Sequence, residues 1–238
     1  GASQETVTLD AGTGTTSVGV IGSGTEIGVL TIGSSDNGGI TLNGAITTDG
    51  AVTIDGPVTL ATGAVSVTTA NDAISFNHSI DGGQTLTLSS GSAAITFTGA
   101  LGASTSLGGL TVNSAGAGNI TFSSTIGDAE NAGVAGTTAI GNAATNDLNF
   151  NSTIYSFNGA TTITAKSGDT IDLAAGAATQ FLTSNDNITF ATGNIELANG
   201  SDLTVDTGAE GGNITIGEID GASQETVTLD AGTGTTSV

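Results

Sequence analysis

The feature that most constrains the fold of this chain is a short unit of one apolar residue, one Thr and a second apolar residue, repeated along its length. Side chains alternate along a strand, so the unit places its apolar residues on one face and Thr on the other. Gly, Asn and Asp between the units favour sharp turns. The pattern predicts many short strands. Units with Thr begin at Val7, Leu30, Ile40, Val52, Leu86, Ile95, Leu110, Ile120, Ile188, Leu203 and Ile214, and variants begin at Ile74, Leu148 and Ile171.

Corresponding units return after about 20–25 residues, as from Val52 to Ile74 and on to Ile95 and Ile120. A period of this length with two or three short strands is typical of a β-solenoid coil. We therefore predict an all-β fold, a parallel β-helix, with aliphatic residues inside and each coil paired to its neighbours. Helical spacing is not sustained anywhere, and the Gly content of Asp128–Ala144 favours a loop or a single helical turn there.

A second, longer repeat lies over the first. Gly1–Val18 and Gly221–Val238 are identical letter for letter, at an offset of 220 residues. We interpret residues 1–220 as one unit of a tandem array and residues 221–238 as the start of the next, with a cloning duplication as the alternative. Inside the unit, Thr25–Ile46 aligns without a gap with Thr105–Ile126, which indicates an older duplication.

Composition excludes several classes of function. The chain carries one Lys or Arg against 22 Asp and Glu, for a net charge of -21, so it cannot neutralise a phosphate backbone or an anionic membrane surface. It has no Cys, which excludes disulfides, a thiol nucleophile and Cys-ligated metals. No stretch approaches the ~18 apolar residues of a membrane span, and no signal peptide is recognisable. The chain is interpreted as an excerpt from a longer protein.

Few residues suit catalysis. His78 is the only histidine and Lys166 the only basic side chain. Two carboxylate pairs, Asp128 with Glu130 and Glu218 with Asp220, have the residue types that glycoside hydrolysis needs. Both lie in Gly- and Ala-rich segments without an adjacent aromatic platform. We predict turn residues rather than catalytic ones, and no enzyme.

Oxygen-rich turns are the best candidates for a cofactor, because Ca²⁺ prefers oxygen ligands. They are Asp36-Asn37, Asn185-Asp186-Asn187 and Asp202 with Asp206. No calcium-loop motif accompanies them, and Asn and Asp also favour turns for local reasons. The prediction is no cofactor, no metal ligand and no cofactor-binding residue, with Ca²⁺ as the alternative. Thr-x-Thr pairs that would suit an ice-binding face occur at Thr6-Val7-Thr8, Thr85-Leu86-Thr87 and Thr162-Ile163-Thr164.

Ile74–Gly91 and Ile95–Gly127 resemble repeat regions of very large bacterial surface proteins, including filamentous-haemagglutinin-like adhesins. The resemblance covers most of the chain and is weakest over Asp128–Ala144 and Tyr155–Leu182. It implies a right-handed parallel β-helix, export to the cell surface or the extracellular space, and a role in adhesion or as a stalk. No active-site motif of such proteins maps onto this chain.

These observations predict a structural or adhesive repeat segment that acts as an elongated stalk or spacer. The expected partners are adjacent copies of the repeat and a neighbouring cell surface or glycan. The segment is expected to be monomeric, with no nucleic-acid binding and no membrane insertion. The alternatives are a carbohydrate- or surface-binding adhesin segment, a β-helix polysaccharide-active enzyme and an ice-binding face.

Overall fold

A computed structural model of the chain describes residues 5–128, 130–174 and 176–238. All regular elements of these residues are β-strands, and neighbouring strands pair in parallel. The strands in chain order are β1 (Val7–Leu9), β2 (Thr15–Val18), β3 (Leu30–Gly33), β4 (Gly39–Leu42), β5 (Ala45–Thr48), β6 (Val52–Asp55), β7 (Val58–Leu60), β8 (Val65–Thr69), β9 (Ile74–Phe76), β10 (Ile80–Asp81), β11 (Thr85–Ser89), β12 (Ile95–Phe97), β13 (Gly109–Asn113), β14 (Ile120–Phe122), β15 (Thr138–Ile140), β16 (Leu148–Phe150), β17 (Ile154–Phe157), β18 (Thr161–Thr164), β19 (Thr170–Leu173), β20 (Ala178–Thr183), β21 (Ile188–Thr192), β22 (Asn194–Leu197), β23 (Asp202–Asp206), β24 (Ile214–Ile216), β25 (Ile219–Gly221), β26 (Val227–Asp230) and β27 (Thr236–Ser237).

The strands form three faces, and each coil of the chain visits them in the same order. The first face is the ten-stranded sheet β1-β3-β6-β9-β12-β14-β16-β19-β22-β25. The second holds β2-β4-β7-β10 and β17-β20-β23-β26, linked by single bridges at Leu101 and Ile126. The third is the nine-stranded sheet β5-β8-β11-β13-β15-β18-β21-β24-β27. The fold is therefore a parallel β-solenoid of ten coils, as the sequence predicted. At ~4.8 Å a coil it is roughly 50 Å long.

The residues that the sequence predicts to correspond on successive coils are paired with each other in the structure. Val52 lies opposite Ile74, Ile74 opposite Ile95, and Ile95 opposite Ile120. On the third face Leu86 lies opposite Leu110. Equivalent residues stack directly because each coil returns to the same position, after 21 residues from Ile74 to Ile95 and after as many as 28 from Ile120 to Leu148. The apolar residues of each unit consequently point inward on every coil.

The core is one continuous column of buried aliphatic and aromatic side chains. Phe76, Phe97, Phe122 and Phe150 stack face to face, with successive ring centroids 5.8, 4.8 and 5.3 Å apart. All four occupy the last position of a first-face strand, so parallel register alone aligns them. Tyr155 packs edge-on against Phe150, with centroids 4.8 Å apart. Burial raises the pKa of the Tyr155 hydroxyl, and a hydrogen bond from the Ser152 amide acts in the opposite sense.

Ser and Thr hydroxyls satisfy backbone carbonyls at the corners between faces. The Thr48 hydroxyl donates to the Gly50 carbonyl at 2.6 Å, and the buried Thr145 hydroxyl donates to the Ser114 carbonyl at 2.7 Å. A turning backbone cannot complete its ladder, and buried polar groups without a partner are costly. The buried hydroxyls at corners therefore stabilise the turns. They include those of Thr48, Thr69, Ser90, Ser114, Thr145, Thr183, Ser201 and Thr207.

The Asp128–Ala144 segment enlarges the sixth coil and contains no helical turn among its described residues, which leave out Ala129. Its regular part is β15, and Val134 bridges Leu107 and Phe157 of the neighbouring coils. The sequence predicted a loop or a single helical turn here and therefore missed the strand β15. The inward apolar residues of the segment, Val134 and Ile140, still join the common core.

The two copies of the repeated segment lie on different faces. Residues 1–4 are outside the described part, but Val7–Leu9 forms β1 on the first face, whereas the identical Val227–Leu229 lies in β26 on the second. The older duplication behaves alike, because Leu30 lies on the first face and its counterpart Leu110 on the third. Neither period is therefore a whole number of coils.

Candidate functional site

His78 lies at the corner between β9 and β10 and pairs with one carboxylate. Its Nε2 atom lies 3.3 Å from Oδ1 of Asp55, on the preceding coil, and the side chains are 36% and 28% exposed. Lys166 pairs locally with Asp169, Nζ to Oδ2, at 2.9 Å. His78 and Lys166 belong to different coils and corners. The structure does not bring the two together into one site.

The first carboxylate pair forms a turn. One oxygen of Asp128 accepts hydrogen bonds from the amides of Glu130 and Asn131, at 2.8 and 2.6 Å. These backbone hydrogen bonds lower the pKa of Asp128, so the group is ionised at neutral pH and poorly suited to donate a proton. Its geometry is that of a turn residue satisfying its own backbone.

The second pair, Glu218 and Asp220, flanks Ile219 at the start of the last coil. Both residues are exposed, and Asp220 accepts a hydrogen bond from the Asn194 amide group at 3.3 Å. Side chains two residues apart on a strand lie on the same face. Glu218 lines a shallow concavity of about 260 Å³, but Asp220 is not part of its lining, so the two carboxylates do not face each other across it as a glycosidase requires.

The oxygen-rich turns use their oxygens to hold neighbouring backbone. Asn37 accepts from the Gly39 amide at 2.9 Å. Asn185, the only described non-Gly residue with positive φ (68°), accepts from the Glu210 amide of the next coil at 2.9 Å. Asp202 accepts from the Thr226 amide at 2.7 Å, and Asp206 from the Gly208 amide at 2.7 Å. The described residues contain no group of three or more His, Asp or Glu side chains arranged to hold a metal ion.

Outward residues of the first face form one ladder with two parts. The hydroxyl ladder is the run of in-register Ser and Thr on the first six coils. The acidic ladder is Asp172, Glu196 and Asp220 on the last three, which are also in register. The hydroxyl ladder consists of Thr8, Thr31, Thr53, Ser75, Thr96 and Thr121. The Thr-x-Thr pairs of the sequence lie elsewhere in part: Thr85–Thr87 and Thr162–Thr164 are on the third face.

The acidic ladder places like charges directly opposite each other, which destabilises a sheet. Partial burial raises the pKa of Asp172, a hydrogen bond from Thr170 opposes that rise, and the charges of Asp147 and Glu196 add to it. A raised pKa in the folded state means that folding favours the neutral carboxyl. The free energy of unfolding should therefore rise as the pH falls through the raised pKa of Asp172.

Asp172→Asn should stabilise the chain by ~0.5 kcal/mol at pH 7, because it removes the charge at one end of the acidic ladder, directly opposite Glu196. The advantage should be smaller at pH 4 than at pH 7, because the raised pKa of Asp172 favours its neutral form more strongly at the lower pH. Urea unfolding at the two pH values measures both effects. Asp36→Asn, an exposed change far from the ladder, is the matched control. Equal advantages at pH 7 and pH 4 would contradict this explanation.

A groove of about 710 Å³ lies where the second and third faces meet in coils six to nine. Ser156 and Asn158 line it from one coil and Asn185 from the next, and Glu130 and Glu210 lie at its ends. Phe157 contributes to the wall but is only 1% exposed, so it offers no open ring face. The groove has a mixed lining, in which hydroxyl, amide and carboxylate groups alternate with apolar residues such as Ala132, Leu182 and Ala209.

Known proteins do not assign a function to these features. No protein-family model, curated protein or solved structure matches the chain. Within the described residues, no helix has the length and apolar character required to cross a membrane. Function must therefore be inferred from the surfaces of the solenoid itself.

Sequence analysis did not find the acidic ladder or the groove. The ladder had a signal: in the units at Ile171 and Ile195 and at Ile219-Asp220, an acidic residue replaces the central Thr. The groove had none, because its walls come from segments that only the coil register brings together.

Proposed function

We propose that this chain is a structural spacer, one repeat of a long bacterial cell-surface protein whose successive units continue a single solenoid as a stalk. One observation carries the proposal: a buried apolar column runs through all ten coils, and each coil buries it only by stacking on its neighbours. Such a stack gains stability and length together as coils are added. The resemblance to giant surface proteins supports the extracellular location.

Surface chemistry supports a role without catalysis. The ionisable groups that first suggested chemistry hold turns or pair singly, as His78 does with Asp55. Acidic side chains spread along the coils keep an extended surface soluble and discourage lateral association. The charge of -21 suits a spacer that must stay separate from its neighbours.

A covalent series of one, two and three 220-residue units tests the spacer. The maximum dimension from small-angle X-ray scattering should grow by about 45 Å a unit, because each unit adds a little over nine coils at ~4.8 Å. The cross-sectional radius should stay constant. Units that fold back on each other, giving a growing cross-section, would overturn the proposal.

The groove of about 710 Å³ favours a second candidate, a carbohydrate-binding segment. Its hydroxyl, amide and carboxylate groups are those that hydrogen-bond sugars. Binding of the intact chain on a glycan array, lost in Glu210→Gln and kept in the exposed control Glu26→Gln, would support this candidate. No signal with the intact chain would leave the spacer as the better description.

A further inference from the structure

Both ends of the solenoid have open strand edges and exposed apolar side chains, which are covered in the middle coils. β26 and β27 are the last strands of their sheets, so one edge of each has no neighbouring strand among the described residues. The exposed large apolar side chains are Val20 and Val29 near the first coil and Val227 and Val238 in the last. Open sheet edges beside apolar residues are sites where further strands add.

Identical residues at the two ends show what covers such an edge. Val18 is 3% exposed, whereas its counterpart Val238 is 71% exposed. The difference is the second coil, because Val18 lies opposite Leu42 of β4. Among the described residues, no coil covers the outer side of the segment around Val238, whereas the second coil covers the identical segment around Val18.

The two copies also share their local conformation. The Gly12 amide donates to Asp10 at 2.8 Å, and the Gly232 amide donates to Asp230 at 2.9 Å. Gly12 and Gly232 have φ values of 57° and 53°. The C-terminal copy therefore presents its strands and turn in the form that the second coil binds.

The copies are bound through opposite edges. In the first coil the Val7 amide donates to the Val29 carbonyl of the second coil at 2.9 Å. In the last coil the Thr226 carbonyl accepts from the Leu203 amide of the ninth coil at 2.9 Å. Binding to the ninth coil thus leaves free the edge that β1 uses to bind β3.

We propose that the last coil binds the second coil of another copy of this chain, with residues 226–238 taking the place of that copy's residues 6–18. Val227 then lies opposite Leu30 of the other copy, and Val238 lies opposite Leu42. This interface rests on the proposed spacer function. It adds to that proposal the partner of the last coil, which is another copy of the chain. Between consecutive units of an array the same contact forms within one chain.

The contact joins each face of one unit to a different face of the next unit. In an array, residues 227–229 of one unit are also residues 7–9 of the next unit. They lie in the second face of the first of these units and in the first face of the second. Each 220-residue unit therefore spans nine coils and one further face, and each sheet continues into a different sheet of the next unit. A groove or acidic ladder reappears a third of a turn around the rod in each successive unit. The chain tolerates the change because each face offers the same inward apolar environment.

In the intact chain the first coil already covers the outer edge of the second coil. It therefore competes with any other copy of the chain for that edge. The chain should therefore remain largely monomeric. A variant that lacks residues 1–18 frees the second coil and keeps the C-terminal copy. It should form head-to-tail dimers and longer oligomers whose mass rises with concentration, measured by sedimentation velocity over a ~100-fold range.

Two controls isolate the contact. A variant that lacks both residues 1–18 and residues 221–238 should stay monomeric. In the chain without residues 1–18, Val227→Pro removes the amide at the free edge and should abolish association, whereas Val227→Thr keeps it. Circular dichroism checks that all variants keep their strand content. Association of the doubly shortened variant to the same extent would overturn the proposal, because the edge would then be binding without regard to sequence.

The absence of Cys allows a direct test of register. In the chain without residues 1–18, Thr31→Cys with Thr228→Cys should give an intermolecular disulfide ladder on oxidation, because these positions correspond to the observed pair Thr8 and Thr31. Thr53→Cys with Thr228→Cys should give far less. A monomer at all concentrations, or equal cross-linking in both variants, would overturn the interface. The scattering test of covalent units is independent and separates this result from failure of the spacer proposal.

Discussion

Phe122→Ala is expected to lower the free energy of unfolding by ~3–5 kcal/mol, the cost of removing a fully buried aromatic ring. Phe122 lies between Phe97 and Phe150, with centroid distances of 4.8 and 5.3 Å, and is completely buried. Neighbouring rings are held by their own coils and cannot move into the space. Because each coil contacts only its neighbours, the cavity weakens the packing that joins the two halves of the stack. Urea unfolding monitored by circular dichroism measures the loss.

The adjacent outward residue is the matched control. Thr121→Ala removes a side chain on the hydroxyl ladder, which accepts one 3.3 Å hydrogen bond from Asn149. The expected change is within about 0.5 kcal/mol, as for most surface substitutions. Similar losses for Phe122→Ala and Thr121→Ala would mean that the inward and outward faces of β14 are not as different as the structure shows.

Gly91→Ala is expected to lower the free energy of unfolding by ~3 kcal/mol. Gly91 turns the corner after β11 with φ of 60°, a conformation that is strained for residues with a side chain. A Cβ atom there would also overlap the Ala70 carbonyl oxygen of the coil below. That oxygen belongs to backbone fixed between two paired strands, so it cannot yield without disturbing the ladder. Strain of the backbone and overpacking therefore add.

Gly63→Ala separates these contributions. Gly63 has a similar φ of 70°, but a Cβ atom there would have no atom within 4 Å. The expected loss is ~1 kcal/mol from conformation alone. Thermal and urea unfolding of the two variants give the difference, which measures the close approach of stacked corners. Equal losses would show that coil spacing at corners is looser than the structure indicates.

Much of the fold could be predicted from the sequence because one signal is repeated many times. Every apolar–Thr–apolar unit predicted from the sequence is a strand with its apolar residues inward, and the predicted pairs from Val52 to Ile74 and Ile95 are the observed ones. Strand alternation is local, and a period near 23 residues leaves few ways to stack the strands. Where the unit is absent, as in the strand Thr138–Ile140, the sequence predicted no element.

The candidate site was predicted much less well. The sequence showed which residues carry reactive groups, and the turn role predicted for Asp128 and Asn185 agrees with their hydrogen bonds. It did not show that Asp172 and Glu196 stack, or that segments from coils six to nine line one groove. Those features depend on which residues become neighbours across coils, and loop lengths between units shift that relation by several residues.

By itself the sequence determined the architecture: inward aliphatic positions, outward Thr, frequent turns and a coil of 20–25 residues. The physical reason is that strand alternation and burial act on each short unit independently. Only the tertiary structure decided which face each unit occupies. The identical residues Val7 and Val227 lie on different faces because the length of all preceding coils, rather than the local sequence, sets where a unit falls around the rod.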